Sequence, residues 1–229
     1  MGAPLTPEIL HALQALDTCS VSNAIELLGE RMLNEGFTSP AIHRVTTGKG
    51  AAVGYAVTAR IHCSRPPIRG RKYEDRTDWW NYILSVPAPR IVAIEDTDSR
   101  PGTGTFLGEI HANILMALGC VGGITNGVVR DVPAIDEMGF QLFAGGVAVS
   151  HAYAHIVDFG QPIEIAGLPI RSGDLLHTDM HGVLCVPKEL AADIPGTVAK
   201  IRLHERELID LCRSPQFTLE KLRDAVTSM

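Results

Sequence analysis

The residues best suited to chemistry are Gly108-Glu109-Ile110-His111 and, some twenty positions on, Arg130-Asp131. If the first four open a helix, their backbone N–H groups lack intrahelical partners and favour an anion such as a substrate carboxylate. Arg130 can fork onto a carboxylate or a developing oxyanion, and Asp131 can hold a hard divalent cation directly or through water. Glu109 can orient a water or move a proton. An Arg-Asp pair at a strand end also serves as a structural salt bridge, and residue types alone leave both readings open.

The surrounding sequence predicts how these groups are positioned. Arg90 to Asp96 reads as a buried strand ending in acids, and Gly108 to Leu118 as a helix closed by Gly119. Cys120 to Thr125 is a second apolar strand running into Asn126-Gly127-Val128-Val129-Arg130-Asp131. A helix through Ile135 to Met138 and a strand at Gln141 to Phe143 follow. This alternation predicts an α/β core with parallel pairing, whose active site lies at the carboxyl ends of strands. Upstream, Thr6-Pro7-Glu8 opens a helix, Ser20 or Ser22 is placed to cap a second one, and Gly48 to Ile61 is β-like. Residues 64–82 read as a charged loop in which Trp79-Trp80 anchors either the domain or a subunit contact. Short β-runs between Gly146 and Pro187 predict an antiparallel or barrel-like second layer, and the rest is helical.

Composition narrows the function classes. The chain has 229 residues, 45% hydrophobic and 20% charged, which is a globular composition. Its net charge of −6 lacks the basic footprint of a nucleic-acid binder, so no nucleic-acid partner is expected. Five scattered cysteines form no CxxC pair, which argues against a disulfide framework or zinc knuckle. No apolar run reaches ~20 residues and no leader pattern opens the chain, so a cytoplasmic protein without a membrane partner is expected. His151 and His155 in HAYAH are read as surface or pocket-rim histidines rather than a metal clamp, and His177 and His181 around Asp179 are discounted as ligands in the same way. Gly102-Thr103-Gly104 is read as a loop entrance and not a dinucleotide fingerprint, and Cys120 as part of an apolar run without a base partner.

Gly108 to His111 together with Gly119 to Asp131 resembles the signature of the 4-hydroxy-4-methyl-2-oxoglutarate aldolase and regulator of ribonuclease activity A family. Asp17 to Ala24, Gly173-Asp174 and Asp179 to Val183 extend the resemblance over most of residues 15–190. It implies an α/β fold of the swivelling β/β/α type, an αββα-like sandwich at 1–190 with its N-terminal helices, followed by a helical extension at 191–229. It also implies homotrimers or hexamers and a Mg²⁺- or Mn²⁺-dependent lyase. Such an enzyme cleaves or decarboxylates a small 2-oxo diacid, 4-hydroxy-4-methyl-2-oxoglutarate or oxaloacetate, through a pyruvate enolate. By that resemblance Asp131 is the metal residue and Arg130 contacts the keto acid. Glu109 orients a proton-donating water, and Gly108, Glu109, Ile110 and His111 hold a carboxylate. The alternative within the family is a non-catalytic regulator that binds a protein partner. Three departures stand out. Asn23 and Asn126 replace the usual Asp and look structural. The 64–82 loop looks longer than usual. The C-terminal helix offers Glu205 or Glu207, each without a basic residue three positions on.

Overall fold

The computed structural model describes residues 3–29, 31–48, 50–67 and 77–227. In chain order the N-terminal half contains α1 (Pro7–Gln14), α2 (Thr18–Leu28), β1 (His43–Arg44), β2 (Ala52–His62), α3 (Thr77–Ser85), β3 (Arg90–Asp96), β4 (Thr105–Leu107) and α4 (Glu109–Ala117). Then come β5 (Cys120–Thr125), β6 (Val128–Val129), α5 (Val132–Glu137), β7 (Gln141–Ala144), β8 (Gly146–Val147) and β9 (His155–Phe159). The chain ends with β10 (Ile163–Ile165), β11 (Leu168–Ile170), β12 (Leu175–Asp179), β13 (Gly182–Val186), α6 (Ile194–Arg213) and α7 (Leu219–Thr227).

The main sheet runs β1-β7-β5-β3-β2-β12-β13, and β9 pairs with the far end of β2. Its centre, β2, β3, β5 and β7, is parallel, as the strand–helix alternation predicts. The sheet is apolar on both faces because alternate residues point opposite ways. Val92 and Ile94 of β3 enter a core shared with the helices, whereas Ile91 and Ala93 enter a second core. The β10–β11 hairpin contributes Ile163, Ile165, Leu168 and Ile170 to that second core. Each such buried side chain contributes about 1.5–3 kcal/mol.

Two local expectations are corrected. The cap of α2 is Asp17 rather than Ser20 or Ser22, since its carboxylate accepts the Ser20 N–H at 2.8 Å and the Ser20 hydroxyl at 2.7 Å. At the other end Gly29, at φ +74°, closes the helix in the left-handed region. Residues 175–186 do not form a second layer. β12 is buried along its length and pairs antiparallel with both β2 and β13, so this hairpin extends the main sheet.

The 64–82 segment lies partly outside the described residues, but α3 occupies its end. Trp79 is buried against Tyr82 and Phe159, which makes it an anchor on the domain itself. The first turns of α6 bury Ile194 and Val198 in the core that also holds Leu10 and Leu13 of α1. No helix of the described residues is long and apolar enough to cross a membrane.

Candidate active site

A small three-stranded parallel sheet, β4-β6-β8, assembles the site. β4 ends where α4 begins, and the Arg130 N–H bonds the Leu107 carbonyl at 3.1 Å, so the ends of β4 and β6 abut. Gly108 therefore stands against Arg130-Asp131. A Cβ on Gly108 would lie 2.8 Å from Asp131 Oδ2 and 3.2 Å from the Arg130 side chain. Only a residue without a side chain allows this approach.

Asp131 occupies the position before α5, where an aspartate usually bonds that helix's own N–H groups. Here its side chain makes no such bond. The backbone at Asp131 is left-handed, φ +55° and ψ +31°, an uncommon state for a residue with a side chain. The carboxylate goes instead to the neighbouring helix: Oδ2 accepts the Glu109 N–H at 3.1 Å and Arg130 Nε at 3.2 Å. The start of α4 is expected to hold a substrate carboxylate, yet one of its N–H groups is already taken by Asp131. The two readings of the Arg-Asp pair thus meet, since the ion pair exists and also faces a pocket.

That pocket, about 300 Å³, is lined by Thr105, Phe106, Gly108, Glu109, Ile110, His111, Arg130, Asp131, His151 and Ala154. All six residues singled out in the sequence line it. The Phe106 and His111 rings stack at 4.7 Å to form part of its wall. His151, read in the sequence as a surface or pocket-rim histidine, also reaches it. Arg130 Nη1 lies 3.2 Å from His151 Nδ1, a contact that requires Nδ1 to accept and the neutral ring's proton to sit on Nε2. His151 and His155 are not on a helix, because the chain turns at 152–153 and His155 starts β9, so their spacing makes no helical metal clamp.

The donor set suits a hard divalent cation. Asp131 Oδ1 and the Glu109 carboxylate make no hydrogen bond among the described residues, and Mg²⁺ or Mn²⁺ accepts a few carboxylate oxygens while retaining waters. A second acidic group, absent from the sequence reading, lies elsewhere. Cys63, Asp96 and Asp98 are buried with their ligand atoms within 4.8 Å of one another, a set compatible with a divalent metal. The signal was the acidic end of β3, Glu95-Asp96-Thr97-Asp98. Its oxygens already accept the Gly102, Asp98 and Cys63 N–H groups, the Ser64 hydroxyl and His62 Nδ1. Burial pushes the Asp96 carboxyl up and the Cys63 thiol to about 12, which disfavours the thiolate a metal needs. Asn126 clasps Asp96 with its side chain, accepting the backbone N–H and donating to the carbonyl, so its role there is structural. Glu205 and Glu207 on α6 do not line the 300 Å³ pocket of their own chain.

Comparison with known proteins gives a consistent picture. A family model described as RraA-like, Aldolase/RraA, matches residues 18–185. A Halalkalibacterium halodurans protein named as a 4-hydroxy-4-methyl-2-oxoglutarate aldolase is 31% identical over 87 residues, covering 38% of this chain and 41% of its own. The chain spans less than half the length of the curated relatives it matches. Among solved structures, an uncharacterised protein from Pseudomonas syringae pv. tomato superposes with TM-score 0.74 at 27% identity, over 96% of this chain and 95% of its own. Streptomyces coelicolor RraAS2, titled an unusual member of the RNase ES inhibitor RraA family, shares the fold with TM-score 0.70 at 19% identity, over 90% and 98%.

Proposed function

The chain belongs to the RraA-like, Aldolase/RraA family, and on that premise we propose that it is a divalent-metal-dependent lyase acting on a small 2-oxo diacid. The observation that carries this reading is the convergence of Arg130, Asp131 and the N-terminus of α4 on one pocket of about 300 Å³. That volume suits a metabolite of a few carbons. Oxaloacetate and 4-hydroxy-4-methyl-2-oxoglutarate are the candidate substrates, and cleavage of either leaves a pyruvate enolate.

Each residue has a part in that chemistry. The first turn of α4, Gly108 to His111, where Asp131 already holds the Glu109 N–H, receives a substrate carboxylate. Arg130 turns its guanidinium toward the 2-oxo group and stabilises the oxyanion that develops there. Asp131 Oδ1 and Glu109 would hold Mg²⁺ or Mn²⁺, which supplies Lewis-acid polarisation of the keto acid. Glu109, at the exposed start of the helix, orients the water that returns a proton to the enolate carbon. The protein acts in the cytoplasm as a homotrimer or hexamer.

The test is pyruvate release from oxaloacetate and from 4-hydroxy-4-methyl-2-oxoglutarate with Mg²⁺, then with EDTA. Release above background that EDTA abolishes is the expected result, and the ratio of rates ranks the substrates. Silence from folded, metal-supplied protein on both substrates removes this reading in favour of a family member that binds a protein partner.

A further inference from the structure

A second cavity, about 750 Å³, opens at the amino end of β2 and shares no lining residue with the candidate active site. It is enclosed by the link between α1 and α2, the loop from β1 to β2, the turn after β12, and Arg202 of α6. Among the described residues two carboxylates and three basic side chains face it, and their hydrogen bonds decide its character.

Both carboxylates are committed. Asp17 accepts the Ser20 N–H on one oxygen, and the Ser20 hydroxyl and Arg202 Nη2 on the other. Asp179 accepts the Thr18 N–H at 2.9 Å on one oxygen, and the His181 N–H and ring on the other. No lining carboxylate oxygen is left without a donor.

The basic groups are held but not consumed. Arg202 spends only Nη2, on Asp17 and Ser20. His181 uses Nδ1 on Asp179 and keeps Nε2. Arg44 makes a single long bond, Nη1 to the Gly50 carbonyl at 3.3 Å, and its buried Nε has no partner. No carboxylate among the described residues lies within 4 Å of the Arg44 guanidinium, although Asp136 and Asp179 stand in its field. Asp136 is occupied by the Thr47 and Gly48 N–H groups and the Thr47 hydroxyl. A half-buried guanidinium with open donors and no ion pair is expensive unless an acceptor meets it.

We propose that this cavity binds a small oxyanion-bearing metabolite, a phosphate ester or a di- or tricarboxylate, through Arg44, Arg202 and His181. Two guanidiniums with open N–H donors converge on the cavity from separate elements, the arrangement that recognises carboxylate or phosphate, and His181, whose Nδ1 donates to Asp179, offers Nε2 as an acceptor for a ligand O–H. The volume admits a molecule as large as a mononucleotide or a sugar phosphate. The inference does not depend on the lyase reading, because the two pockets are separate.

The experiment is calorimetric titration of the full chain with inorganic phosphate and with citrate. Wild type is expected to bind at least one probe saturably, and the tighter one assigns the class. Arg44→Gln should weaken that binding about tenfold or more, the scale for losing a charged hydrogen-bonding partner. Arg130→Gln, in the other pocket, should leave it unchanged. His181→Ala changes a half-exposed side chain and is expected to weaken binding several-fold, so it decides the matter should Arg44→Gln fail to fold. Absence of saturable binding of either probe to wild type at about 10 mM overturns the proposal. So does binding that survives both Arg44→Gln and His181→Ala, or that disappears in Arg130→Gln.

Discussion

Asp131 divides its two oxygens. Oδ2 is fixed by the Glu109 N–H and Arg130 Nε, and Oδ1 has no hydrogen bond among the described residues. That division explains the left-handed backbone at an aspartate, since the geometry turns the side chain away from α5 and onto α4. It also explains Gly108, where a Cβ would crowd Oδ2 at 2.8 Å. Gly108 has φ −143°, which alanine adopts readily, so Gly108→Ala is a local perturbation of the carboxylate and not of the helix. We expect that variant to melt within a few degrees of wild type while kcat for pyruvate release falls at least ~10-fold, the lower end of what a displaced catalytic group costs. Asp131→Ala should abolish EDTA-sensitive turnover, and Arg130→Ala should lose ~10²-fold, the scale for deleting an oxyanion stabiliser. A few-fold change in Arg130→Ala, measured by steady-state kinetics, would make the arginine structural.

The docking of α2 on β12 is where acid should first be felt. His177 is fully buried, with Nε2 donating to the Leu13 carbonyl at 3.0 Å and Nδ1 accepting from the Thr18 hydroxyl at 2.9 Å. Burial pushes its pKa below the ordinary 6.5, so the native ring stays neutral at pH values where the unfolded chain takes up a proton. Stability is therefore complete above about 6.5 and is lost as the pH falls below it. Asp17 adds a later loss of the same sign. Partial burial pushes its carboxyl up, but the Ser20 hydroxyl, the Ser20 N–H and Arg202 hold it down at about 2, so its contribution fades below the ordinary 3.8. Melting curves from pH 7.5 to 5 should show Tm falling below 6.5 in wild type, with a flatter profile in His177→Gln. An unchanged slope in that variant would clear His177 of the effect. These contacts also give the Asp17–Ala24 and Asp179–Val183 stretches a structural reason: Asp179 holds the Thr18 N–H, while Asp17 caps the helix. The sequence shows both stretches but does not pair them, because the contact spans 161 residues. It does place β3, α4, β5 and α5 beside the site, since their turns and caps are local signals. It assigns 175–186 to a separate layer because apolar alternation does not say which strand a hairpin joins. It leaves His151 as a surface or pocket-rim histidine without a partner residue, because a histidine in a turn carries no periodicity, and only the fold brings it to Arg130.

At the scale of the whole molecule the candidate active site is open on a strongly apolar side. Ile110 is 77% exposed, Val147 65%, Val149 93% and Tyr153 55%, and all belong to the segments that frame the pocket or lie beside them. Such a group beside a functional pocket is a liability for a lone chain and a resource for an assembled one. The two cores are already full, as Phe143, Ile124 and Ile94 have almost no exposure, so this surface has no place inside its own fold. Burial against a second copy would also exclude water from the pocket mouth, where Arg130 and Asp131 would then act in a lower dielectric and stabilise developing charge more strongly. Assembly and turnover should therefore be linked. Val149→Asp places a charge on the most exposed of these side chains without touching either core. The expected outcome is a shift in sedimentation from a species of three or six chains of 24.7 kDa toward a single chain, with an unchanged far-ultraviolet circular dichroism spectrum. Pyruvate release should fall in parallel, at least ~10-fold at dilute protein, and recover in part as the concentration rises and mass action restores the assembly. A variant that sediments as one chain yet turns over at the wild-type rate would show that each pocket is complete on its own.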